Sequence, residues 1–320
     1  MDIKNEIERI ARAEMSVEPL EERGLNPRAF SPVSVVCIRR TLLAEYMMAI
    51  VGTEISRGQL TASIRMRRAL VGGTLGQWVL LPVLVVWLLK PHPVLAGGLL
   101  LVAVSPGGVL SNYYCSVARL NVAFSVTLTT VSGFVALAAM PLLFAAVVPT
   151  ALGVEAFAVP VGEMTTRLLL FLLLPVGVGM ALRHLFPATL ERRGRVLRVS
   201  GLGLLVLFLA LVFVDQRHAV VAMFGEALLL TFTFTLLALL AGWFSGGILQ
   251  LNHADRAVLA SEFGVRNVGL AALLALTTFQ QPEFAAFGAL FVLLQSPVLI
   301  LALLLRRRLP NSPDMGPRAG

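Results

Sequence analysis

ASEFGVRNVGLAAL, residues 260–273, sits inside a long apolar run near the end of the chain. It sets Glu262 and Arg266 four positions apart, with Asn267 beside the arginine and Gly264 between them. In water such a spacing is an ordinary helical ion pair. In hydrocarbon an ionisable side chain at a helix centre costs about 2.5–3.5 kcal/mol even on insertion scales and marks a functional site. Which reading holds depends on the solvent around the stretch.

Composition identifies that solvent. The 320 residues are 57% hydrophobic and only 14% charged, with a mean hydropathy of +0.84. Soluble domains are about 25% charged. The apolar residues come in blocks of roughly 17–25, the length that crosses about 30 Å of hydrocarbon as a helix. They lack the alternation of barrel strands, and backbone groups in lipid must be satisfied within the segment. The sequence therefore predicts an all-α polytopic membrane protein with about nine transmembrane helices, near 33–53, 69–89, 92–117, 122–148, 164–186, 196–214, 223–249, 256–277 and 284–305. Arg39, Arg40 and Glu45 interrupt the first of these.

The net charge of +8 lies in short loops, not on one face, which speaks for topology and against a nucleic-acid partner. One set of loops holds Arg57, Arg65, Arg67, Arg68, Arg192, Arg193 and Arg195, while the opposite set holds Lys90, Arg167 and Arg217. This bias predicts a multi-pass protein of the cell inner (plasma) membrane with a cytoplasmic C-terminus, ending in a basic tail over 306–320. Residues 1–32 form a polar tail with seven Asp/Glu against five Lys/Arg. No short apolar segment follows Met1, so no cleavable signal peptide is expected. Cys37 and Cys115 have neither metal nor disulfide spacing and read as free thiols.

Two crossings carry helix-breaking chemistry. SPGGVLSN (105–112) has Pro106, Gly107 and Gly108, and SEFGVRN (261–267) has Gly264. Interrupted helices in corresponding positions of two halves point to a transporter's midplane site, although a kink without function is the plainer reading of either alone. Glu262 offers a hard carboxylate oxygen suited to sodium, as do the oxygens of Ser111, Asn112, Ser125 and Thr129. Ser125 and Thr129, four apart, face one side of a helix, where bonding back to their own carbonyls would also account for them. Gln77, in GTLGQWVLLP (73–82), is an amide in an apolar helix that could bond to a neighbouring helix.

The stretch SPGGVLSNYYCSVARLNVAFSVTLTTVS (105–132), with GQWVLLP (76–82) and EFGVRNVGLAA (262–272), resembles the signature of the bile acid:sodium symporter family over about residues 46–305. The resemblance implies inverted repeats with two discontinuous crossing helices. It also implies a core domain (69–148 and 223–305) that moves against a panel domain (33–53 and 164–214) within a transporter domain spanning 33–305. It maps one sodium site to Ser111, Asn112, Ser125, Thr129 and Glu262. The second would use Gln77, Glu262, backbone near Phe263 and Val265, and a Gln where this chain has Arg266. Family members of bacteria usually have ten crossings; here the polar tail replaces the first.

Arg266 is a permanent cation, and two cations do not share one small site beside one carboxylate. Three readings of it stand: a guanidinium in place of the second sodium, a direct contact for a substrate carboxylate, or a structural pair with Glu262. The functional expectation is a secondary active transporter that carries an organic anion across the lipid bilayer, coupled to one sodium ion and using no other cofactor. The alternative is a sodium-independent uniporter, exchanger or proton-coupled carrier. An enzyme is not expected: HExxH and GxSxG are missing, and His92, His184, His218 and His253 lie near helix ends.

Overall fold

The computed structural model describes residues 45–46, 48–53, 55, 66–88, 93–152 and 160–308. The polar tail, most of the segment 33–53, Cys37, Arg39, Arg40, Lys90 and the tail beyond residue 308 lie outside the described residues. Regular structure among the described residues is helical, and the one β contact is an isolated antiparallel bridge between Gly107 and Arg266. The chain is an all-α polytopic membrane protein.

After a helical stretch within 45–53, the elements are α1 (Arg67–Leu88), α2 (Pro93–Ala103), α3 (Val109–Val117), α4 (Val122–Leu152), α5 (Val161–Leu185), α6 (Pro187–Asp215), α7 (Arg217–Ile248), α8 (His253–Gly264), α9 (Val268–Thr277) and α10 (Pro282–Arg308). Single helices do not account for nine crossings. Among the described residues five are long and apolar enough to cross a bilayer, or six if α6, bent by 43°, is one span. The segments 92–117 and 256–277 are instead two half-helix pairs, α2/α3 and α8/α9. Each half has 9–12 residues, too short to cross alone. The other expected boundaries move outwards: α6 begins nine residues before 196 and α7 six before 223.

Burial separates what the apolar pattern could not. α9 and the end of α8 are buried all round, whereas α1, α6 and α7 keep one apolar face outward. A helix that is apolar all round and enclosed by other helices is an internal element. α7 packs along α8, α10 and α1, and α10 also lies against α9 and α2. On the other side α4 runs past α1, α2, α3 and α8. The half-helices are thus enclosed by full-length helices.

α5 widens into a π-helical turn at Leu169–Leu173. Two residues later Pro175 has no N–H to give the carbonyl of Phe171, which releases the regular ladder at that point. Beyond the turn, α5 meets the stretch 45–53 backbone to backbone. A Cβ on Gly179 would lie 2.8 Å from the Cα of Gly52 and would strike the carbonyl oxygen of Ala49. A Cβ on Gly177, two residues earlier in the same helix, meets nothing within 4 Å. Gly179→Val is therefore expected to lower the melting temperature of the purified protein by the equivalent of about 1–3 kcal/mol or more, the cost of overpacking. Gly177→Val should melt within a degree or two of the parent; equal losses would refute the close contact.

Candidate functional site

The two breaks meet. Pro106 cannot continue the N–H ladder, so α2 ends at Ala103, and the chain resumes as α3 from Gly108 in extended geometry. Opposite it, α8 ends at Gly264 and Val265 is extended. Asn267 then caps α9, its Oδ1 accepting from the N–H of Leu270 at 3.1 Å. The N–H of Asn267 donates to the carbonyl of Pro106 at 2.9 Å, closing the bridge between the two breaks. Glycines at 107 and 108 allow a close approach on both sides. A Cβ on Gly107 would strike Oε2 of Glu262, and one on Gly108 would stand 2.7 Å from the carbonyl oxygen of Arg266.

Glu262, in the last turn of α8, is fully buried. Its Oε1 accepts from Ser111 Oγ at 2.6 Å, from Ser125 Oγ at 2.6 Å and from Thr129 Oγ1 at 3.1 Å. Ser125 and Thr129 therefore use their hydroxyls across the helix interface, and the back-bonding reading does not describe their geometry. Asn112 Oδ1 lies 2.8 Å from Ser125 Oγ and 3.4 Å from Thr129 Oγ1, while its Nδ2 has no partner. The structure thus brings Ser111 and Asn112 of α3, Ser125 and Thr129 of α4 and Glu262 of α8 into one cluster of oxygens.

The cluster has more oxygen contacts than protons. Ser111, Ser125 and Thr129 supply three hydroxyl protons for seven contacts to Asn112, Glu262 and the carbonyl of Gly108. With all three protons given to the carboxylate, Asn112 Oδ1 faces lone pairs, a shortage met either by turning the amide, which aims its unpartnered Nδ2 at the two hydroxyls, or by a bound cation. A small hard cation supplies the positive charge such a set is short of, and one carboxylate among neutral oxygens suits a monovalent ion. Among the described residues no group of three or more His, Cys, Asp or Glu gathers as a transition-metal site would require.

Arg266 points away from that cluster. Only 1% of it is exposed; one terminal nitrogen donates to Gln77 Oε1 at 2.7 Å and to the backbone carbonyl of Glu262 at 3.3 Å, and the other donates to the carbonyl of Ser105. Its Nε and the Nε2 of Gln77 are unpartnered. The side chains of Glu262 and Arg266 make no contact ion pair, since the break at Val265 ends the helical face that a spacing of four would give them, yet each still lies within the other's field. The Ser105 carbonyl was invisible in the sequence, because backbone acceptors come free only where a helix opens.

A narrow crevice lies beside the crossing, walled by Met48 and Ile55, by Leu172 and Val176 of α5, and by Thr129 and Thr130 of α4. Pro106, Gly107 and Asn267 close its inner end, and Arg266 does not reach it. Asn267 also approaches Met48 Sδ at 3.5 Å from the crossing side.

A helical membrane protein with two crossed, broken helices and an oxygen cage between them is the class this geometry defines. The sequence comparisons give the family. Residues 41–223, more than half of the chain and including Gln77, Ser111, Asn112, Ser125 and Thr129, match the model of the Sodium Bile acid symporter family, and the chain belongs to that family. It is a family of transporters, not of enzymes. The chain is 26% identical over 234 residues to the probable sodium/metabolite cotransporter BASS1, chloroplastic, of Arabidopsis thaliana, a match covering 72% of this chain and 57% of that protein. It is 27% identical over 227 residues to the sodium-dependent transporter YocS of Bacillus subtilis (68% and 67%), and 28% identical over 246 residues to the P3 protein of Bos taurus (73% and 50%). The chain thus spans between half and two thirds of the length of these relatives.

Removing one hydroxyl should expose the role of the cage. Ser125→Ala leaves the buried carboxylate one donor short, at a cost of about 1–3 kcal/mol. Ser261→Ala, one residue from Glu262 but bonded only to the carbonyl of Ala257 in its own helix, should cost less than half as much. Thermal melting of the two variants in sodium-free buffer checks the order; the reverse order would refute the cage.

Proposed function

We propose that this chain is a secondary carrier of a small or amphipathic organic anion, coupled to one sodium ion by alternating access. The oxygen cluster around Glu262, with fewer protons than contacts, carries the reading: it is a seat for one monovalent hard cation. Ser111, Asn112, Ser125, Thr129 and Glu262 would supply the sodium ligands.

The crevice is where the anion would bind. The first residues of α3 and the cap of α9 line it, and helix N-termini carry positive dipole ends that favour negative charge. Its walls are apolar, which suits an amphipathic substrate. Its free volume of about 30 Å³ is roughly one water's share, against about 300 Å³ or more for a ligand pocket. The substrate must therefore enter by separation of the walls. That fits a core (69–148 and 223–305) moving against a panel (33–53 and 164–214), with the C-terminus cytoplasmic and the protein in the cell inner membrane.

On this proposal Arg266 is a built-in cation in place of a second sodium. It sits among Gln77 Oε1 and two backbone carbonyls, a set of neutral oxygens of the kind that binds sodium, and it is turned away from the crevice. That leaves the substrate-contact reading without a geometric path. The same arginine favours the second reading, a sodium-independent carrier, should it have displaced both ions.

Melting of the purified protein in NaCl against KCl at equal ionic strength tests the reading without knowledge of the substrate. A ligand at a hundred times its Kd stabilises the folded state by about 2.7 kcal/mol. A sodium-specific rise that disappears in Glu262→Ala is expected; equal melting in the two salts would replace symport by the sodium-independent carrier. Arg266→Gln should steepen the sodium dependence from a one-ion to a two-ion curve, and an unchanged curve would refute the substitution of ion by guanidinium.

A further inference from the structure

Far from the crossing, at one end of the bundle, two turns of matching geometry lie side by side. The α3–α4 turn reads Ala118-Arg119-Leu120-Asn121 and the α7–α8 turn Leu249-Gln250-Leu251-Asn252. In each the second residue has a left-handed φ of 56°. In each, too, the third residue's N–H returns to the carbonyl five positions back, Leu120 to Cys115 and Leu251 to Gly246. The asparagine then caps the helix that follows: Asn121 Oδ1 accepts from the N–H of Phe124 at 3.1 Å and Asn252 Oδ1 from the N–H of Asp255 at 2.8 Å. Both caps leave an amide N–H₂ free to reach across.

Both amides reach the same carboxylate. Asn121 Nδ2 donates to Oδ1 of Asp255 at 3.0 Å and Asn252 Nδ2 to its Oδ2 at 2.8 Å. Asp255 is only 7% exposed. The α8 side of this junction is braced again. Arg256 lies 4.4 Å over the ring of Trp243 and donates to its carbonyl at 3.2 Å, and His253 packs against the same indole.

We infer that Asp255 is a positioning residue for the ion cage, a clasp that joins the two turns and so sets the register of α4 against α8. The spacing along each helix supports this. Asp255 and Glu262 are seven residues apart on α8, two turns and about 10 Å along one face. Asn121, Ser125 and Thr129 recur every four residues on the facing side of α4. The clasp and the cage are the two ends of one seam, and the hydroxyls of Ser125 and Thr129 reach Glu262 only while that seam keeps its register. A carboxylate suits the clasp because it accepts at both oxygens and donates nothing, whereas an amide at 255 would turn an N–H₂ against one of the asparagines.

The consequence for sodium rests on the proposed function, and the geometry of the clasp does not. The experiment compares Asp255→Asn with the double swap Asp255→Asn/Asn121→Asp in the purified full chain. In the swap the amide at 255 donates to the carboxylate at 121, which still accepts from the N–H of Phe124, and the carbonyl oxygen at 255 accepts from Asn252. Every bond is restored, with donor and acceptor exchanged only between 121 and 255. In KCl, amide hydrogen exchange over residues 122–130 and 253–264 should quicken in the single variant and return to the parent rate in the swap. In NaCl, the sodium concentration at half-maximal thermal shift should rise about tenfold in the single variant and recover in the swap, as losses of outer-shell support at metal sites do. A single variant too unstable to purify beside a swap that folds and protects normally gives the same support.

Unchanged exchange in the single variant, or a swap as damaged as the single, overturns the clasp. Altered exchange with an unmoved sodium midpoint overturns its positioning role. If the parent itself shows no sodium-specific shift, the symport reading fails, and the exchange data in KCl still decide the clasp.

Discussion

The structure depends on the burial of one carboxylate. Glu262 lies where neither water nor lipid can solvate it, and an ionisable group there is tolerated only if the protein replaces its hydration. The replacement comes from three hydroxyls on two other helices, and it obliges α3, α4 and α8 to converge on one point. Convergence in turn requires the breaks. On the opened backbone Gly107 lies against the carboxylate and Gly108 against the backbone of Arg266, and a Cβ at 108 would meet that carbonyl oxygen at 2.7 Å. Opened backbone is allowed at that depth because its polar groups find partners across the crossing, as Asn267 and Pro106 do.

The crossing and the crevice wall beside it are built from different materials. The half-helices are buried in a continuous apolar core and tied by the bridge at Gly107 and Arg266. The crevice wall opposite is made of side chains from 48–55 and from α5, whose ladder is already widened at Leu169–Leu173. The Gly52–Gly179 contact joins the two parts of that wall through backbone, and on the proposed reading they would shift as one piece against the crossing.

The sequence made the solvent and the helical class readable, because apolar block length is a local property, whereas the oxygen set, with Glu262 133 positions from Thr129, was assembled through the family resemblance. It made the two broken helices readable through Pro106, Gly107, Gly108 and Gly264. It could not show where Arg266 points: spacing by four predicts a shared face only while the helix continues, and Val265 leaves it. It could not show Ser105 as an acceptor, since every residue has a carbonyl and only the fold frees one. Nor could it single out Asp255, whose partner Asn121 is 134 positions away.

The separation of Glu262 from Arg266 bears on coupling. Were they in contact, the carboxylate would divide its acceptor sites between the guanidinium and the hydroxyls. Apart, each keeps its own shell, and the crossing as a whole is neutral before any ion binds. On the proposed reading a sodium ion entering the cage brings one uncompensated positive charge into a medium of low dielectric, where it is costly unless balanced nearby. The crevice beside Gly107 and Asn267 is the adjacent place for a balancing charge, and the two helix N-termini there already favour an anion. Sodium and an organic anion would then each lower the cost of binding the other, which is reciprocal coupling. A neutral residue at 266 would change that sum, since a second cation could then serve in place of the guanidinium.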